Sequence, residues 1–557
     1  MLTSDKDVVQ LVVDQCKLHG VKTIVFSPGS RNSPLSIAFD EDNFFQTIVI
    51  HDERSAAFCA LGIAQEKNVS VALCCTSGSA LLNYYPAISE AFYRNLPLLI
   101  LSADRPAAWI DQGDGQTIRQ QHIFEQHTHG FFQLEDIHLS DDTLWYYQRE
   151  TSILLHKLSN GPVHFNIALK EPLYHVVEKK SDFGKKISFF SSSSKLQLDI
   201  FQIIKSKLDG KKIMVICGQM DSNNSLTQRL AHFAKNTGAV VLAENISNLY
   251  DPHFISCVER VFHMIETDQD YLPEVVIHLG GAIVSKRVKT FLRNIKNLEV
   301  IRLSEDTLIQ DTFKHLTVQV SIAAIDFFDQ FKDFQSQSSV NFFGKWKQLD
   351  IMAQDKVPIV AESLKGLNDL YAFYLIHQYV PEYTVIHSGN SSVVRYMQLF
   401  DMVKGSVYYA NRGTSGIDGS FSTAVGAAMA SPSKNHLFVC GDIAFIYDHN
   451  ALWIENFPTN LKVIIINNAG GGIFRIIDGA KDSSKSSRYF EATHTQNVIS
   501  LVNAFSKSAL NVTSFEHLEL HIKEFLSVSN NEFQFLEIVT DSEMNPHILS
   551  NFYKGIK

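Results

Sequence analysis

The sequence predicts an α/β fold made of three doubly wound parallel-sheet domains. Three observations support this prediction: the chain has 557 residues, short apolar runs alternate with helix-like stretches, and two polar stretches interrupt that alternation. A single hydrophobic core rarely serves more than about 250–300 residues, so this length requires two or three domains. Apolar runs that end in turns and are followed by helices are typical of parallel sheets with both faces covered.

The composition is that of an ordinary globular protein and excludes some partners. Hydrophobic residues make up 45% of the chain and charged residues 19%, and 49 basic against 59 acidic side chains give a net charge of −10. This acidic balance disfavours nucleic acid and anionic membrane as partners. No apolar run reaches the roughly 18 residues of a membrane span, and the N-terminus lacks a signal-peptide pattern.

The seven cysteines predict buried thiols rather than a disulfide or zinc framework. None of them forms a Cys-x-x-Cys pair, and several lie inside apolar runs such as VALCCTSG and LFVCGD. Free thiols of this kind are typical of a reducing compartment. We therefore expect a cytoplasmic protein.

The N-terminal block, residues 1–178, repeats a strand-then-helix unit. Apolar residues recur at helical spacing over Val8–Cys16, and KTIVFSPGS predicts a short buried strand that ends in a turn. The runs VALCCTSG, LPLLILSAD and VHFNIAL follow the same pattern. The polar stretch KKISFFSSSSKLQ then predicts a linker near residues 178–197.

The central block, residues 197–335, predicts a Rossmann-like domain. Its strand candidates are KKIMVICGQ, AVVLAENIS, EVVIHLGGA and LEVIRLS, and FKDFQSQSSVNFFGK predicts a second linker near residues 331–345. The Gly-Gly turn in HLGGAIVSKR could accept a phosphate. Without a GxGxxG run and an acidic partner, a nucleotide site there is the weaker interpretation.

The C-terminal block, residues 350–557, places polar residues at the ends of its predicted strands YTVIHSGNSS, HLFVCGD, LKVIIINN and FQFLEIV. Asp442 ends one run and Asn468 ends the next, 26 positions later, which leaves room for a crossover helix, DHNALWIENF. Ligands of open α/β sheets bind beyond the carboxyl ends of the strands. The two side chains are therefore expected to converge.

A carboxylate, an amide oxygen and a carbonyl of the glycine run suit a hard divalent cation. Mg2+ takes oxygen ligands and keeps positions for water and phosphate oxygens. A helix predicted to start at Ile443-Ala444 would offer free N–H groups to the same phosphate. The competing interpretation is structural, with Asp442 as a helix cap and NNAGGG as a turn.

At these residues the chain resembles the thiamine-diphosphate enzymes, whose signature is Gly-Asp followed, after an apolar strand, by Asn-Asn. The resemblance implies a thiamine-diphosphate-binding fold, with thiamine diphosphate and Mg2+ (or Mn2+) as cofactors. It implies aminopyrimidine binding by the N-terminal domain and diphosphate and metal binding by the C-terminal domain. The implied metal ligands are Asp442, Asn468 and the carbonyl of Gly470. Ile443, which replaces a signature glycine, and Ala444 are implied cofactor contacts.

Further motifs resemble one branch of that family, the thiamine-dependent carboligases of menaquinone biosynthesis. They are SPGSRNSPL, HDERSAAFCALGIA, CTSGSALLNYYPA, SADRPAAWIDQGDGQTIRQ, SGNSSVVR and NRGTSGIDGSFSTAVG. The resemblance covers nearly the whole chain and is weakest in the central block. It implies small-molecule substrates, with decarboxylation of 2-oxoglutarate and 1,4-addition of the succinyl carbanion equivalent to isochorismate. It also implies a homodimer at minimum, or a tetramer, because family members build the site from two subunits.

Glu53, inside HDERSAAF, is the catalytic carboxyl group that the resemblance implies. A carboxyl group at N1′ of the aminopyrimidine ring favours the imino tautomer, which removes the proton from thiazolium C2. An apolar pocket raises the pKa of such a group and helps it share a proton. Ile417, in SGIDG, matches the bulky residue that holds the cofactor bent. Taken alone, Glu53 predicts a surface charge and Ile417 a core residue.

The implied substrates carry four carboxylates, which require charged partners of matched geometry, and arginine offers a bidentate fork. The residues implied to face the acceptor are Arg31, Arg105, Gln116, Lys286 and Arg287, with a hydrogen bond from Ser30. Those implied to hold the distal carboxylate of the donor are Ser391, Arg395 and Arg412. Ile473 and Phe474 would form an apolar wall of the acceptor pocket. For each cation alone, a solvated loop charge is the plainer interpretation.

Two other functions stay open at this stage. Another thiamine-dependent carboligase or decarboxylase, such as acetolactate synthase, would share Glu53, Asp442 and Asn468 but has no evident need for so many arginines. A non-catalytic paralogue that binds cofactor or partners would be expected to lose Glu53 or the metal ligands. All of these residues are present.

Overall fold

Three sheets of parallel strands organise the chain, which confirms the predicted fold class. A computed structural model describes residues 2–179, 181–189, 195–265, 269–306, 308–336, 341–476, 486–527 and 533–557. The three sheets contain six, five and six strands. No helix in these ranges is both long and apolar enough to cross a bilayer. All seven cysteines are buried and free, as predicted.

The first sheet occupies the N-terminal block. The strands of this block are β1 (Leu2–Ser4), β2 (Thr23–Phe26), β3 (Gln46–Val49), β4 (Val71–Cys75), β5 (Leu98–Asp104), β6 (Phe131–Glu135), β7 (Val163–Ala168) and β8 (Val176–Glu178). The helices are α1 (Asp7–Leu18), α2 (Ser33–Asp40), α3 (Glu53–Lys67), α4 (Ser79–Asn83), α5 (Tyr85–Arg94) and α6 (Asp141–Lys157), with 3-10 turns at Ala107–Trp109, Glu125–His127 and Leu158–Asn160. The sheet order is β3-β2-β4-β5-β7-β6, and β1 pairs antiparallel with β8.

The second sheet lies in the central block. Its strands are β9 (Ile213–Cys217), β10 (Val240–Ala243), β11 (Val275–Leu279), β12 (Glu299–Leu303) and β13 (Leu316–Val320), in the order β10-β9-β11-β12-β13. The helices are α7 (Leu198–Leu208), α8 (Asn224–Thr237), α9 (Val258–Met264), α10 (Lys286–Arg293) and α11 (Ala324–Gln330), with 3-10 turns at Asn245–Ser247 and Gln269–Tyr271.

The third sheet lies in the C-terminal block. Its strands are β14 (Val385–Ser388), β15 (Val407–Tyr409), β16 (His436–Gly441), β17 (Leu461–Asn467), β18 (Ala509–Val512) and β19 (Phe535–Val539), in the order β15-β14-β16-β17-β19-β18. The helices are α12 (Phe342–Ser363), α13 (Asp369–Tyr379), α14 (Val393–Tyr396), α15 (Ser420–Ala430), α16 (Asp442–Tyr447), α17 (Ser486–Tyr489), α18 (Val498–Ala504), α19 (Phe515–Leu526) and α20 (Asn545–Ile556). The 3-10 turns lie at Met397–Leu399, His449–Trp453 and Gly472–Arg475.

Strand β9 shows why the sheets need helices on both faces. Ile213, Val215 and Cys217 enter one hydrophobic cluster, whereas Met214 and Ile216 enter another. Successive side chains of a strand point to opposite faces, so a continuous apolar run must be covered twice. Helices on both faces of the sheet provide this cover, which is what a doubly wound fold means.

Two local predictions differ from the structure. DHNALWIENF was expected to form the crossover helix, but the α-helix is α16 at Asp442–Tyr447, and only a 3-10 turn at His449–Trp453 follows it. The second linker was expected to extend to residue 345, but α12 already begins at Phe342, where the Asn341 side chain accepts a hydrogen bond from the Gly344 N–H. A side-chain cap is a local start signal, and it outweighs the polar composition before it.

The chain forms two compact units that do not follow the three sheets. One unit combines the N-terminal block with Gly413–Asn435 and Ile446–Leu461, and the other holds the central block with the rest of the C-terminal block. The first unit therefore includes α15, which packs on α3. A Cβ atom on Gly62 would lie 2.0 Å from Thr423 O, and one on Gly426 would lie 2.0 Å from Cys59 O. The two helix backbones touch where neither carries a side chain.

Gly426→Ala is expected to force α3 and α15 apart and to lower the free energy of unfolding by about 1–3 kcal/mol, the usual cost of overpacking. Thermal unfolding followed by circular dichroism measures the change. Gly115→Ala is the control, because a Cβ atom there meets nothing within 4 Å. Equal melting temperatures for the two variants would contradict the close helix contact.

Candidate active site

Several of the predicted site residues follow the strands at which sheet order reverses. In the first sheet the reversal lies between β2 and β4, which are followed by Arg31 and by the turn at 76–78. In the third sheet it lies between β14 and β16, which are followed by Ser391 and Asp442. Ligands of open α/β sheets bind in the crevice at such points.

Asp442 is the first residue of α16, and three hydrogen-bond donors surround its carboxylate. Oδ1 accepts from the Ile443 N–H at 2.7 Å, Oδ2 accepts from the Gly470 N–H at 2.9 Å, and Oδ2 lies 3.1 Å from His494 Nε2. The residue is only 2% exposed. Burial raises the pKa of this carboxyl above the ordinary aspartate value, and the N–H donors and His494 oppose that shift.

This geometry corrects the prediction about the helix start. The helix begins at Asp442 rather than at Ile443-Ala444, and the Ile443 N–H donates to Asp442 rather than standing free. A carboxylate at the first turn of a helix satisfies an N–H group that has no partner within the helix. Ile443 is half-buried and Ala444 is buried.

Asn468 presents a buried carbonyl oxygen that has no hydrogen-bond partner among the described residues. Its Nδ2 lies 3.3 Å from Asp369 Oδ2, which fixes the amide and leaves Oδ1 as the unpaired atom. An unsatisfied buried acceptor costs about 1–3 kcal/mol. A bound cation would remove that cost, so this side chain fits the role of a metal ligand.

Gly470 holds the turn against Asp442. Its φ is 158°, and a Cβ atom there would lie 2.9 Å from Glu491 O, so glycine alone fits. Its N–H donates to Asp442, and its carbonyl accepts from the Gly472 N–H at 3.0 Å. The structure therefore brings Asp442 and the 468–470 turn together, as predicted. The ranges that the structure describes contain no group of three His, Cys, Asp or Glu residues fit for a metal, so a cation here needs amide and carbonyl oxygens.

Asp369 supports Asn468 and was not singled out in the sequence. It is the first residue of α13, and its Oδ1 accepts from Thr540 Oγ1 at 2.6 Å. Burial raises the pKa of Asp369 to about 6, while hydrogen bonds from Thr540, Asn468 and Asn545 oppose the shift. Its partners are distant in sequence, so no local pattern could reveal it.

Glu53 is the first residue of α3 in the first unit. Asp52 caps this helix by accepting from the Ser55 N–H at 2.9 Å, and it also accepts from Asn450 Nδ2 at 2.5 Å. Burial raises the pKa of the Glu53 carboxyl, the charge of Asp52 adds to the shift, and a hydrogen bond with Asn83 opposes it. The direction is the one required of a carboxyl group that shares a proton near neutral pH.

Ile417 also lies in the first unit and is half-buried, in the loop that leads to α15. Glu90, which is fully buried on α5, anchors this loop. Its two carboxylate oxygens accept from the Gly413 N–H at 2.9 Å and from the Thr414 N–H at 2.6 Å. Sequence reasoning missed Glu90 because its partners lie 323 and 324 positions away.

Arg31 and Arg105 are both anchored on the turn after β4. The Arg31 N–H lies 3.3 Å from Thr76 Oγ1, and Arg105 Nη1 donates to Ser77 Oγ at 2.8 Å. Arg105 Nη1 also donates to the carbonyl of Gln116 at 2.9 Å. The structure thus brings together three residues of the implied acceptor set. Ser30, beside Arg31, is exposed.

Arg395 and Arg412 are tied to the loop after β14. Arg395 Nη1 donates to the Ser391 carbonyl, and Arg412 Nη1 donates to Asn390 Oδ1 at 2.9 Å. Ser391 has a φ of 70°, in a region that costs a non-glycine residue about 1–3 kcal/mol. Burial lowers the pKa of Arg395, while Glu259 and Glu244 oppose the shift. Both implied donor-binding arginines therefore bond to one loop, which contains the third member of the set, Ser391.

Lys286 and Arg287 start α10, and this segment is held by two acids, of which Glu244 is buried and Glu259 half-buried. Glu244 accepts from the Val284 N–H at 2.7 Å and from the Ser285 N–H at 2.8 Å, and Arg287 Nε lies 3.4 Å from Glu259 Oε2. A cavity of about 810 Å³ lies beside them and is lined by Arg287, Arg475, Tyr553, Lys554 and Lys557 among others. Basic side chains are thus concentrated around this cavity, although the chain as a whole carries a net negative charge.

The apolar wall predicted from Ile473 and Phe474 lies on the 3-10 turn after the glycine run. Ile473 is 6% exposed and Phe474 is half-buried, with its ring centroid 6.0 Å from that of Phe490. Both side chains therefore follow directly on the turn that contacts Asp442.

Two family models and many curated proteins match this chain. The model described as the thiamine pyrophosphate enzyme N-terminal TPP binding domain matches residues 6–128, and the C-terminal TPP binding domain model matches residues 388–538. Proteins named 2-succinyl-5-enolpyruvyl-6-hydroxy-3-cyclohexene-1-carboxylate synthase from Flavobacterium psychrophilum and Flavobacterium johnsoniae are 38% identical to it, with 98% of both chains covered in each case. The protein of that name from Porphyromonas gingivalis is 34% identical, with 99% of this chain and 98% of that protein covered.

Asn468→Ala is expected to abolish the stabilisation that Mg2+ and thiamine diphosphate give together, since a ligand at about 100 times its Kd adds about 2.7 kcal/mol. The melting temperature with and without both ligands measures it. Asn467→Ala is the matched control, because both ends of that amide are paired, with Glu537 and with the Ala469 N–H. Asn467→Ala should lower the melting temperature of the metal-free protein but keep the rise in melting temperature that the two ligands cause. If Asn468→Ala also keeps that rise, Asn468 is not a metal ligand.

Proposed function

The chain belongs to the 2-succinyl-5-enolpyruvyl-6-hydroxy-3-cyclohexene-1-carboxylate synthase family of thiamine pyrophosphate enzymes, and on this premise we propose how its residues divide the work of the reaction. The protein is a thiamine-dependent transferase of menaquinone biosynthesis. It decarboxylates 2-oxoglutarate and adds the succinyl unit to isochorismate. A general decarboxylase or acetolactate synthase is not favoured by these relatives.

The observation that carries the proposal is the turn at 468–470 against Asp442, with one buried amide oxygen that has no hydrogen-bond partner in the part of the chain that the structure describes. Asp442, Asn468 and the Gly470 carbonyl would hold Mg2+ or Mn2+, which prefer oxygen ligands. Ile443 and Ala444 would line the diphosphate. Bound thiamine diphosphate would supply the carbon nucleophile and the electron sink that decarboxylation needs.

Glu53 would hold a proton at N1′ of the aminopyrimidine ring. Its raised pKa supports this role, because a carboxyl group that shares a proton must not be fully ionised at working pH. Ile417 would support the bent cofactor. Both residues belong to the unit that contains the N-terminal block, to which we assign aminopyrimidine binding. The three-domain division at 1–178, 197–335 and 350–557 remains a proposal.

The basic residues would orient the substrates and neutralise their carboxylates. Arg31 and Arg105 bond to the turn at 76–78, and Arg105 also bonds to Gln116. These three residues would bind isochorismate, together with Ser30, Lys286 and Arg287. Arg395 and Arg412 donate to the loop after β14, which contains Ser391, and these three residues would bind the distal carboxylate of 2-oxoglutarate. Ile473 and Phe474 would exclude water from the acceptor side. Holding both substrates in one orientation converts the addition into an effectively unimolecular step.

We further propose a homodimer at minimum, or a tetramer, in the cytoplasm. Large apolar side chains near the predicted site residues are exposed, as expected for a surface that another subunit covers: Val49 is 45%, Leu82 42% and Trp109 53% exposed. The buried free cysteines suit a reducing compartment.

The proposed reaction is tested by following isochorismate absorbance in the presence of thiamine diphosphate, Mg2+ and either 2-oxoglutarate or pyruvate. Loss of absorbance with 2-oxoglutarate alone, and a succinylated product by mass analysis, is the expected result. Release of carbon dioxide from pyruvate without ligation would instead support a general decarboxylase.

Glu53→Gln is expected to lower kcat by about 100-fold or more, the range of general acid–base catalysis. Cofactor binding, measured by calorimetry, should change little, because the amide keeps the shape of the carboxyl group. Glu66→Gln, a change at the other end of α3, is the control. Activity near the wild-type level in Glu53→Gln would exclude the assigned role.

Arg395→Ala is expected to raise the KM for 2-oxoglutarate about 10- to 100-fold, the effect of losing a charged hydrogen bond. The KM for isochorismate should change much less. Arg229→Ala, which removes an exposed guanidinium paired with Asp329, is the control for loss of a positive charge. An effect confined to isochorismate would reverse the division of the basic residues.

A further inference from the structure

His494 lies beside the predicted metal ligands but was not predicted to take part in the site. It belongs to the irregular segment 491–497, and its side chain is 15% exposed. Its Nε2 lies 3.1 Å from Asp442 Oδ2. A partly buried imidazole therefore lies in hydrogen-bond contact with a buried carboxylate.

The hydrogen bonds of His494 define its tautomer. The Gln496 N–H donates to His494 Nδ1 at 3.2 Å, so Nδ1 is an acceptor and carries no proton. In the neutral ring the proton then lies on Nε2. Nε2 therefore donates to Asp442 and is not free to bind a metal.

The same segment also holds the glycine run in place. The Gly471 N–H donates to Glu491 O at 2.6 Å, and the His494 N–H donates to Ala469 O at 3.3 Å. Arg475 Nε donates to Glu491 Oε2 at 2.9 Å. The backbone contacts fix where the imidazole stands relative to Asp442.

The donors around Asp442 are distributed unevenly. An ionised carboxylate has about four acceptor sites, two on each oxygen. Oδ2 accepts from the Gly470 N–H and from His494, whereas Oδ1 accepts from the Ile443 N–H. The remaining acceptor site therefore belongs to Oδ1, and Asp442 can offer a cation one oxygen but not both.

We propose that His494 is a positioning residue that blocks Asp442 Oδ2 and so makes Asp442 a monodentate ligand of the divalent cation. The inference rests on the proposed role of Asp442 as a metal ligand. Monodentate carboxylates suit the small octahedral Mg2+, whereas Ca2+ readily accepts bidentate ones. His494 would thus favour Mg2+ over Ca2+ without touching either ion.

The experiment titrates Mg2+ and, separately, Ca2+ into protein saturated with thiamine diphosphate and measures both affinities by calorimetry. His494→Ala should lose about 10- to 100-fold in Mg2+ affinity, the usual effect of removing an outer partner of a metal ligand. Its Ca2+ affinity should fall much less, so the preference for Mg2+ narrows. The amide nitrogen of His494→Gln can replace Nε2 as the donor. This variant should therefore restore most of the Mg2+ affinity and most of the preference for Mg2+ over Ca2+.

Two further variants show whether a change in metal affinity arises from His494 itself, from the loss of any ring in this unit, or from a wrong assignment of the metal site. His377→Gln removes a half-buried ring of the same unit, which bonds to Phe373 O within α13, and should leave the ratio of the two affinities unchanged. Asp442→Ala should abolish binding of both ions. If it does not, the proposed metal site itself is wrong.

Loss of Mg2+ binding in Asp442→Ala combined with unchanged Mg2+ affinity in His494→Ala would overturn the positioning role alone. Equal losses for Mg2+ and Ca2+ in His494→Ala would also overturn it, because they indicate a general disturbance of the turn. Circular dichroism of the metal-free variants checks folding. If His494→Ala does not fold, His494→Asn, whose shorter side chain leaves Oδ2 free, is titrated in its place with the same expected outcomes.

Discussion

Parallel pairing of the strands determines where the candidate site residues of this chain can lie. In a parallel sheet all carboxyl ends meet at one edge, and the reversal of strand order opens a crevice there. The first and third sheets share one strand order, in which the chain starts inside the sheet, steps to one side and then crosses to the other. Arg31 and Ser391 occupy corresponding places, after the first strand of each sheet along the chain, and the turn at 76–78 and Asp442 follow the third strand of each. The candidate site residues of both sheets are thus placed by one repeated topology.

Buried carboxylates hold the loops at these edges. Asp442, Glu244 and Glu90 each accept hydrogen bonds from two backbone N–H groups, and Asp448 accepts from the N–H and hydroxyl of Ser422. A buried charge is tolerated only when such donors surround it. Burial still raises the pKa of Asp448 to about 7. Each of the four acids thus fixes a backbone segment through the hydrogen bonds that it accepts.

The sequence predicts the strands and the contact between Asp442 and the turn at 468–470 well, because both follow from local patterns. Apolar runs such as LKVIIINN define buried strands without any knowledge of their neighbours, and β17 is found there. The crossover helix was misplaced because α16 begins at Asp442 itself, a residue whose predicted role was metal binding. His494, Asp369 and Glu90 could not be predicted, since the residues they contact lie 52, 99 and 323 positions away. A hydrogen bond between two polar residues that are far apart in sequence produces no periodic pattern of residues, so the sequence does not reveal it.

The contact between α3 and α15 has a consequence for synthesis on the ribosome. About 360 residues separate Gly62 from Thr423, whose carbonyl it touches. At 5–20 residues per second, α15 emerges roughly 20–70 s after α3. Throughout that time the nascent first sheet lacks the helix that covers α3, and the apolar face around Cys59 and Gly62 stands open to water and to other chains. The N-terminal block is therefore expected to depend on chaperones until α15, which ends at Ala430 of the 557 residues, has been synthesised.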